Sequence, residues 1–134
     1  MAVCKAIAAF KGWKYRSPFM EKLFFSGDFQ KFDMDGTHPE NSWLTKDTEI
    51  VRFYYSEPRC TFKFTLKAYY DFLKTVYYVN RKENVEKIPK DLPILMVAGD
   101  CDPVGEFGKA VKRVYEMYKA AGINDVPLKL YEND

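Results

Sequence analysis

The sequence has little of what marks several classes of protein. Its 21 basic and 19 acidic side chains are interspersed and give a formal charge of +2, which is too weak to indicate nucleic acid or an anionic membrane surface as a partner. No apolar run reaches the roughly 18 residues needed to span a bilayer, and the first residues lack a signal-peptide pattern. We therefore expect no nucleic-acid partner, no membrane span and a cytoplasmic location.

Cysteine and histidine are also scarce. Cys4, Cys60 and Cys101 are far apart, odd in number and without a C-x-x-C pair, so they indicate neither a disulfide framework nor a zinc site. The single histidine, His38, lies in a polar loop, where a solvated side chain is its ordinary role. The sequence predicts no metal and no cofactor.

The first two thirds of the chain have helical spacing. At 134 residues and 47% apolar content, the chain is long enough for one core. We expect one helix to start after Ser17 as N-cap with Pro18 at its first position, and another to start after Thr45 as N-cap. The longest helix places a broad apolar face of Leu and Tyr residues that could form core or a groove wall. The predicted helices are 2–11, 18–25, 46–56 and 65–81.

The pattern changes after residue 92. Residues 93–98 are a continuous apolar run, as expected for a strand covered on both faces, and residues 127–132 form a second strand. Between them, residues 106–121 form an amphipathic helix with Gly122 as its stop. This is a β-α-β unit with parallel strands, so the fold class is α/β. A two-stranded sheet of this kind is not stable alone, which makes the fold incomplete.

Two aspartates follow the first predicted strand, in the segment GDCDPVG. Loops beyond the carboxyl ends of the strands carry the functional groups of open α/β sheets, which favours a site at Asp100 and Asp102. Aspartates before a helix also commonly make Asx turns or cap the helix. Position alone leaves both interpretations open.

The segment PILMVAGDCDPVGEFGKAV and the sequence after it resemble the carboxyl-terminal part of α/β-hydrolases. The branch is that of serine aminopeptidases, monoacylglycerol lipases and lysophospholipases, and KGWKYRSPFMEKLFF resembles its helical cap. The resemblance implies a helical cap or lid over residues 1–64, and the last β-α-β unit of the hydrolase core over residues 65–134. It also implies that Asp102 is the acid of a Ser-His-Asp triad, and that the substrate is a lipid ester or another hydrophobic ester.

The sequence departs from this family at the other two triad positions. It contains no G-x-S-x-G elbow, and the family's layout would place that elbow before Met1 and the catalytic histidine after Asp134. We therefore expect the chain to be inactive alone and to need the N-terminal part of the hydrolase as partner. Its unpaired sheet edge also predicts possible homo-oligomers.

Two alternatives stay open. The segment FDMDGTH matches the D-x-D-G-T motif of haloacid dehalogenase-like phosphatases, with Asp33 as nucleophile and Asp35 beside it. No apolar strand precedes the motif, and no later G-D-x-x-x-D segment supports it. A non-catalytic fragment or subunit that acts through protein association is the other alternative.

Overall fold

The computed structural model describes residues 1–133. Within these residues, six α-helices and two strands follow one another, with short 3-10 helices at Gly27–Lys31 and Pro39–Asn41. The elements are α1 (Ala2–Lys11), α2 (Pro18–Phe24), α3 (Thr48–Ser56), α4 (Leu66–Val79), α5 (Lys82–Val85), β1 (Met96–Gly99), α6 (Lys109–Ala120) and β2 (Leu128–Tyr131). No helix in the described part of the chain is long and apolar enough to cross a membrane.

The main hydrophobic cluster lies where α1, α2 and α4 meet. Burial of a side chain as large as Leu66 contributes about 2 kcal/mol of transfer free energy. The amides of Leu66 and Lys67, at the start of α4, donate to the carbonyls of Tyr15 (2.9 Å) and Trp13 (3.1 Å), which satisfies groups that a helix start leaves unpaired. The buried members are Cys4, Ala8, Met20, Leu66 and Tyr69.

This cluster joins residues on both sides of the boundary predicted at residue 64. Helix α1 of the predicted cap packs against α4 of the predicted core. The division into residues 1–64 and 65–134 stays a prediction, and its last residue, Asp134, lies outside the described residues.

The β-α-β unit has the predicted topology. Strands β1 and β2 pair in parallel, with Met96 opposite Leu128 and Gly99 opposite Tyr131. Helix α6 forms the crossover and packs against β1. The strands are shorter than predicted, although the Ile94 amide already donates to the Asp125 carbonyl at 2.9 Å. The α/β class and the incomplete sheet are confirmed.

One face of this sheet is exposed, contrary to the expectation that β1 is covered on both faces. Side chains alternate across a strand, so Leu95 and Val97 share a face. They are 68% and 54% exposed, and Tyr131 on β2 is also exposed. On the other face, Met96 and Ala98 are half-buried.

The starts of α1 at Ala2 and of α2 at Pro18 were predicted correctly. The Ser17 hydroxyl accepts the Met20 amide, as predicted. Helix α3 begins at Thr48 instead of residue 46, because the carboxylate of Asp47 accepts the amides of Glu49 and Ile50. The predicted cap, Thr45, was wrong.

Helix α6 also begins later than predicted, at Lys109 instead of residue 106. The three residues before it, Glu106, Phe107 and Gly108, have φ values of 50°, 55° and 79°. These left-handed conformations cannot continue a right-handed helix. At the other end, Gly122 follows the helix with φ of 86°, as predicted for a stop.

Candidate functional site

The acid loop, residues 100–108, runs from the carboxyl end of β1 to the start of α6. Asp102 lies in this loop and is half-buried. Its Oδ1 accepts the amide of Val104 at 2.7 Å, and its backbone carbonyl accepts the amide of Phe107 at 2.9 Å. The loop therefore holds the carboxylate of Asp102 in one orientation through an Asx turn.

Asp100 has a different role in the same loop. Its amide donates to the Tyr131 carbonyl at 3.0 Å, and its Oδ1 accepts the amide of Asn133 at 2.7 Å. The thiol of Cys101 also contacts Oδ1, at 3.4 Å. Asp100 thus ties the end of β1 to the end of β2. Neither aspartate caps α6, whose N-cap is Gly108.

A cavity of about 460 Å³ lies between the acid loop and the cap loop, residues 40–46. We call it the acid cavity. On the acid-loop side it is bounded by Asp102, Cys101 and Gly99, where the carboxyl end of β1 opens. The facing wall is formed by Phe32, Glu40, Asn41, Ser42, Trp43, Leu44, Thr45 and Lys46.

A larger cavity of about 650 Å³ lies within the cap region and is called the cap cavity. Aromatic side chains form much of its wall, together with Met34 and Pro18. Charged side chains such as Glu21 and Lys63 also line it. Glu21 and Lys63 form an ion pair of 3.0 Å. The aromatic members of the wall are Phe25, Trp43, Tyr54, Tyr55 and Phe62.

Trp43 borders both cavities. Its indole Nε1 donates to the hydroxyl of Tyr55 at 3.3 Å, and its ring contacts Phe25 and Phe29 with centroid distances of 6.2 and 5.7 Å. Burial raises the pKa of the Tyr55 hydroxyl above its usual 10.0. Trp43 is therefore the shared wall of the two cavities.

Sequence reasoning did not identify Trp43 or the cap loop. It pointed instead to the aromatic face of α4 as a possible groove wall. Leu66 and Tyr69 of that face belong to the core cluster, and the walls of the acid and cap cavities come from α2, α3 and the loops. The sequence carries no local signal for this role, because Trp43 stands beside another apolar residue, Leu44.

The D-x-D-G-T segment, residues 33–37, forms a self-contained turn. Asp33 accepts the Gly36 amide at 2.7 Å, and Asp35 accepts the Thr37 hydroxyl at 2.7 Å. Hydrogen bonds from the side chain and backbone of Thr37 lower the pKa of the Asp35 carboxyl. The segment follows a 3-10 helix instead of a strand.

The phosphatase alternative gains no support from this geometry. Its motif requires Asp33 at the end of a buried strand, and Asp33 has only an isolated bridge to Ser42. Within residues 1–133 no group of three or more His, Cys, Asp or Glu side chains could hold a metal ion.

The only histidine of the sequence, His38, lies in the same region. Its Nδ1 is 3.5 Å from Glu40 Oε1, and its side chain is 73% exposed. This position fits the expected solvated loop residue, because an exposed imidazole paired with a surface carboxylate is hydrated.

Comparison with known proteins identifies the family. The family described as "Serine aminopeptidase, S33" matches residues 6–133. The chain belongs to this family of α/β-hydrolases. No curated protein matches the chain.

A solved structure similar to this S33 family member is a highly thermostable carboxyl esterase from Bacillus coagulans, crystallised in complex with glycerol. The two share 23% sequence identity with a TM-score of 0.81 over 98% of this chain. At that identity the likeness concerns the fold. The chain spans 42% of the esterase's length, in agreement with an incomplete α/β-hydrolase fold.

Proposed function

We propose that this chain supplies the cap and the triad acid of a serine hydrolase that acts on carboxylic esters. The observation that carries the proposal is the position of Asp102. It lies at the carboxyl end of a parallel strand, in a loop that fixes its carboxylate, and it borders a cavity roofed by the cap loop. Ligands of open α/β sheets bind at this edge.

Asp102 would act through a histidine. A carboxylate that accepts the N–H of an imidazole fixes its tautomer and stabilises the imidazolium, which forms when the imidazole takes the serine proton. The serine oxygen then bonds to the ester carbonyl, and the departing alcohol receives that proton. Water attacks the acyl-enzyme in the same way and releases the acid.

We assign the substrate to lipid esters of the monoacylglycerol or lysophospholipid kind. The support is the cap cavity, whose rings offer apolar contact to an acyl chain, and the position of Trp43, which borders both this cavity and the acid cavity. In this assignment the acyl chain lies in the cap cavity, and the ester lies near Asp102.

The proposed partner is the N-terminal part of the hydrolase, which carries the nucleophile. The exposed sheet face of Leu95 and Val97 supports this, because apolar side chains of an α/β sheet are ordinarily covered on both faces. The 134 residues contain no G-x-S-x-G, and the imidazole of their one histidine is exposed and lies 3.5 Å from the carboxylate of Glu40. We therefore propose that they do not hydrolyse esters alone.

The test compares the chain alone with the chain joined to segments that supply the serine elbow and the histidine. A short-chain nitrophenyl ester measures turnover, and a fluorophosphonate probe measures an activated serine. The proposal predicts no turnover and no labelling for the chain alone, and both for the joined protein. Esterase activity of the chain alone, or a folded joined protein that the probe does not label, would refute it.

A magnesium-dependent phosphatase assay distinguishes the haloacid dehalogenase-like alternative from the proposed ester hydrolase. Hydrolysis of a nitrophenyl phosphate by the chain alone, abolished by Asp33→Asn, would replace the ester-hydrolase proposal. Asp35→Asn serves as the second variant, because that carboxylate lies in the same turn.

A further inference from the structure

Two residues with side chains adopt left-handed backbone conformations in the second half of the acid loop that contains Asp102. Glu106 has φ of 50° and Phe107 has φ of 55°, and Gly108 follows with φ of 79°. Glycine adopts such angles freely, whereas they are uncommon for a bulky residue such as phenylalanine. Residues in strained conformations persist where their surroundings fix them, and they concentrate at functional sites.

The contacts of this turn join it to Asp102, to α6 and to β2. The Phe107 amide donates to the Asp102 carbonyl at 2.9 Å. Glu106 pairs with Arg113 of α6 at 2.6 Å, which anchors the turn to the helix. A side chain at position 108 would meet Leu130 Cδ1 at 3.2 Å, so the turn also packs closely against β2. The conformation of Phe107 is therefore set by the loop that holds the acid.

The ring of Phe107 connects this turn to the cap region. Lys31 Nζ lies 5.3 Å from the ring centroid, within the range of a cation–π interaction. Asp28 pairs with the same ammonium at 2.6 Å and holds it in place. The carbonyl of Lys31 accepts the side-chain amide of Asn41 at 3.0 Å, and Asn41 lines the acid cavity.

We infer that Phe107 is a positioning residue that fixes the acid loop to the cap through Lys31. Its amide holds the Asp102 carbonyl and its ring holds the Lys31 ammonium, so one residue sets the position of the acid relative to the cap loop. Through Asn41, which bonds to the Lys31 carbonyl and lines the acid cavity, the contact joins the acid loop to the cap loop. The catalytic meaning of the contact rests on the proposed role of Asp102, whereas the contact itself can be tested without activity.

The test is amide hydrogen exchange in the 134-residue chain. Lys31→Met and Phe107→Leu each remove the cation–π contact and keep apolar bulk. We expect either variant to speed exchange of the Phe107 and Val104 amides by about two- to fivefold, the factor that corresponds to a cation–π interaction at an exposed site. Lys31→Arg keeps the cation and should restore the wild-type rates.

A double-mutant cycle makes the test specific. If the two residues act through each other, the double variant exchanges no faster than either single variant. Lys14→Met removes an exposed lysine on the loop between α1 and α2 and should leave both amides unchanged.

Additive effects in the double variant, or unchanged exchange at Phe107 in Lys31→Met, would overturn the inference. The exchange rates do not depend on any esterase activity. A failure of the inference is therefore distinguishable from a failure of the proposed function.

Discussion

The helical region, residues 1–85, and the β-α-β unit, residues 93–133, bury their apolar side chains differently. In the helical region, three helices enclose Cys4 and Leu66, which are fully buried. In the β-α-β unit, Ile123 and Val126 are buried, while Leu95 and Val97 face outward. Helices satisfy their backbone groups internally and need only a neighbouring face, whereas a sheet needs further strands and cover on both faces. The helical region therefore encloses a core of its own, although it also exposes apolar side chains such as Phe10 and Phe53. The sheet leaves one whole face uncovered.

The largest expected effect is a difference in stability between two leucine variants, one in the helical core and one on the sheet face. Leu66→Ala should lower the free energy of unfolding by about 2–5 kcal/mol, because it leaves a cavity in the helical core. Leu95→Ala removes the same atoms from an exposed position and should cost within about 0.5 kcal/mol. Urea denaturation of both variants measures the difference. Equal losses would show that the sheet face is as well packed as the helical core.

Self-association tests the exposed sheet face next. We expect the chain to dimerise or aggregate through this face and the unpaired edge of the sheet. Val97→Lys should weaken association by about tenfold, which corresponds to about 1.4 kcal/mol of lost apolar burial. Analytical ultracentrifugation measures the constant.

The control for that variant is Ile50→Lys on α3. Ile50 is 53% exposed, close to the 54% of Val97, so both variants place a charge at an equally exposed apolar position. Only Val97→Lys should weaken association. A monomer at every concentration, with cooperative unfolding, would contradict the expected interface.

A smaller effect separates two candidate caps of α3 in the helical region. Asp47→Ala should cost about 1 kcal/mol, because the carboxylate accepts two amides of the first turn. The Thr45 hydroxyl instead accepts the Asp47 amide, at 3.3 Å, so Thr45→Ala should cost less. Thermal unfolding of the two variants gives the order. A larger loss for Thr45→Ala would restore the predicted cap.

The smallest expected effect is a pH dependence in the acid loop. A hydrogen bond from Arg113 lowers the pKa of the Glu106 carboxyl below its usual 4.5. A carboxyl with a lowered folded-state pKa stabilises the fold above its unfolded pKa, and this contribution is lost as the pH falls through the folded pKa. Glu106→Gln should therefore unfold slightly more easily than the wild type at neutral pH, and this difference should shrink as the pH falls through the folded pKa of Glu106.

Glu57 offers the parallel in the helical region, since Arg59 lowers the pKa of its carboxyl in the same way. Glu57→Gln should show the same sign of pH dependence. A wild-type advantage over Glu106→Gln that grows on acidification would contradict the assigned cause.

The features predictable from sequence were those with local causes. Ser17 before Pro18 determines a helix start by itself. The order of apolar run, amphipathic helix and second apolar run after residue 92 predicts parallel strands joined by a helix. Thr45 and Asp47 are both good caps two residues apart, so the choice depended on which side chain reached the first-turn amides. The left-handed turn at Glu106 and Phe107 has no local signal, because contacts with Asp102, Arg113 and Lys31 stabilise it.

The residues of the candidate site also differ in whether a local pattern marks them in the sequence. Asp102 was singled out from the sequence because its loop follows a strand and resembles a known motif, and its catalytic role stays a prediction. Trp43 was not predictable, because it reaches the acid cavity through the fold of the cap loop and its hydrogen bond with Tyr55. Its position depends on residues that lie far from Asp102 in the sequence.

The central claim is that Asp102, and not Asp100, is the catalytic acid. The most direct measurement is kcat on a short-chain ester for Asp102→Asn and Asp100→Asn in the protein joined to its serine and histidine segments. Asp102→Asn should lower kcat by a factor approaching about 10⁴, as expected when a triad acid is neutralised. Asp100→Asn should lower it far less, because Asp100 binds the end of β2. Equal losses, or a larger loss for Asp100→Asn, would contradict the assignment.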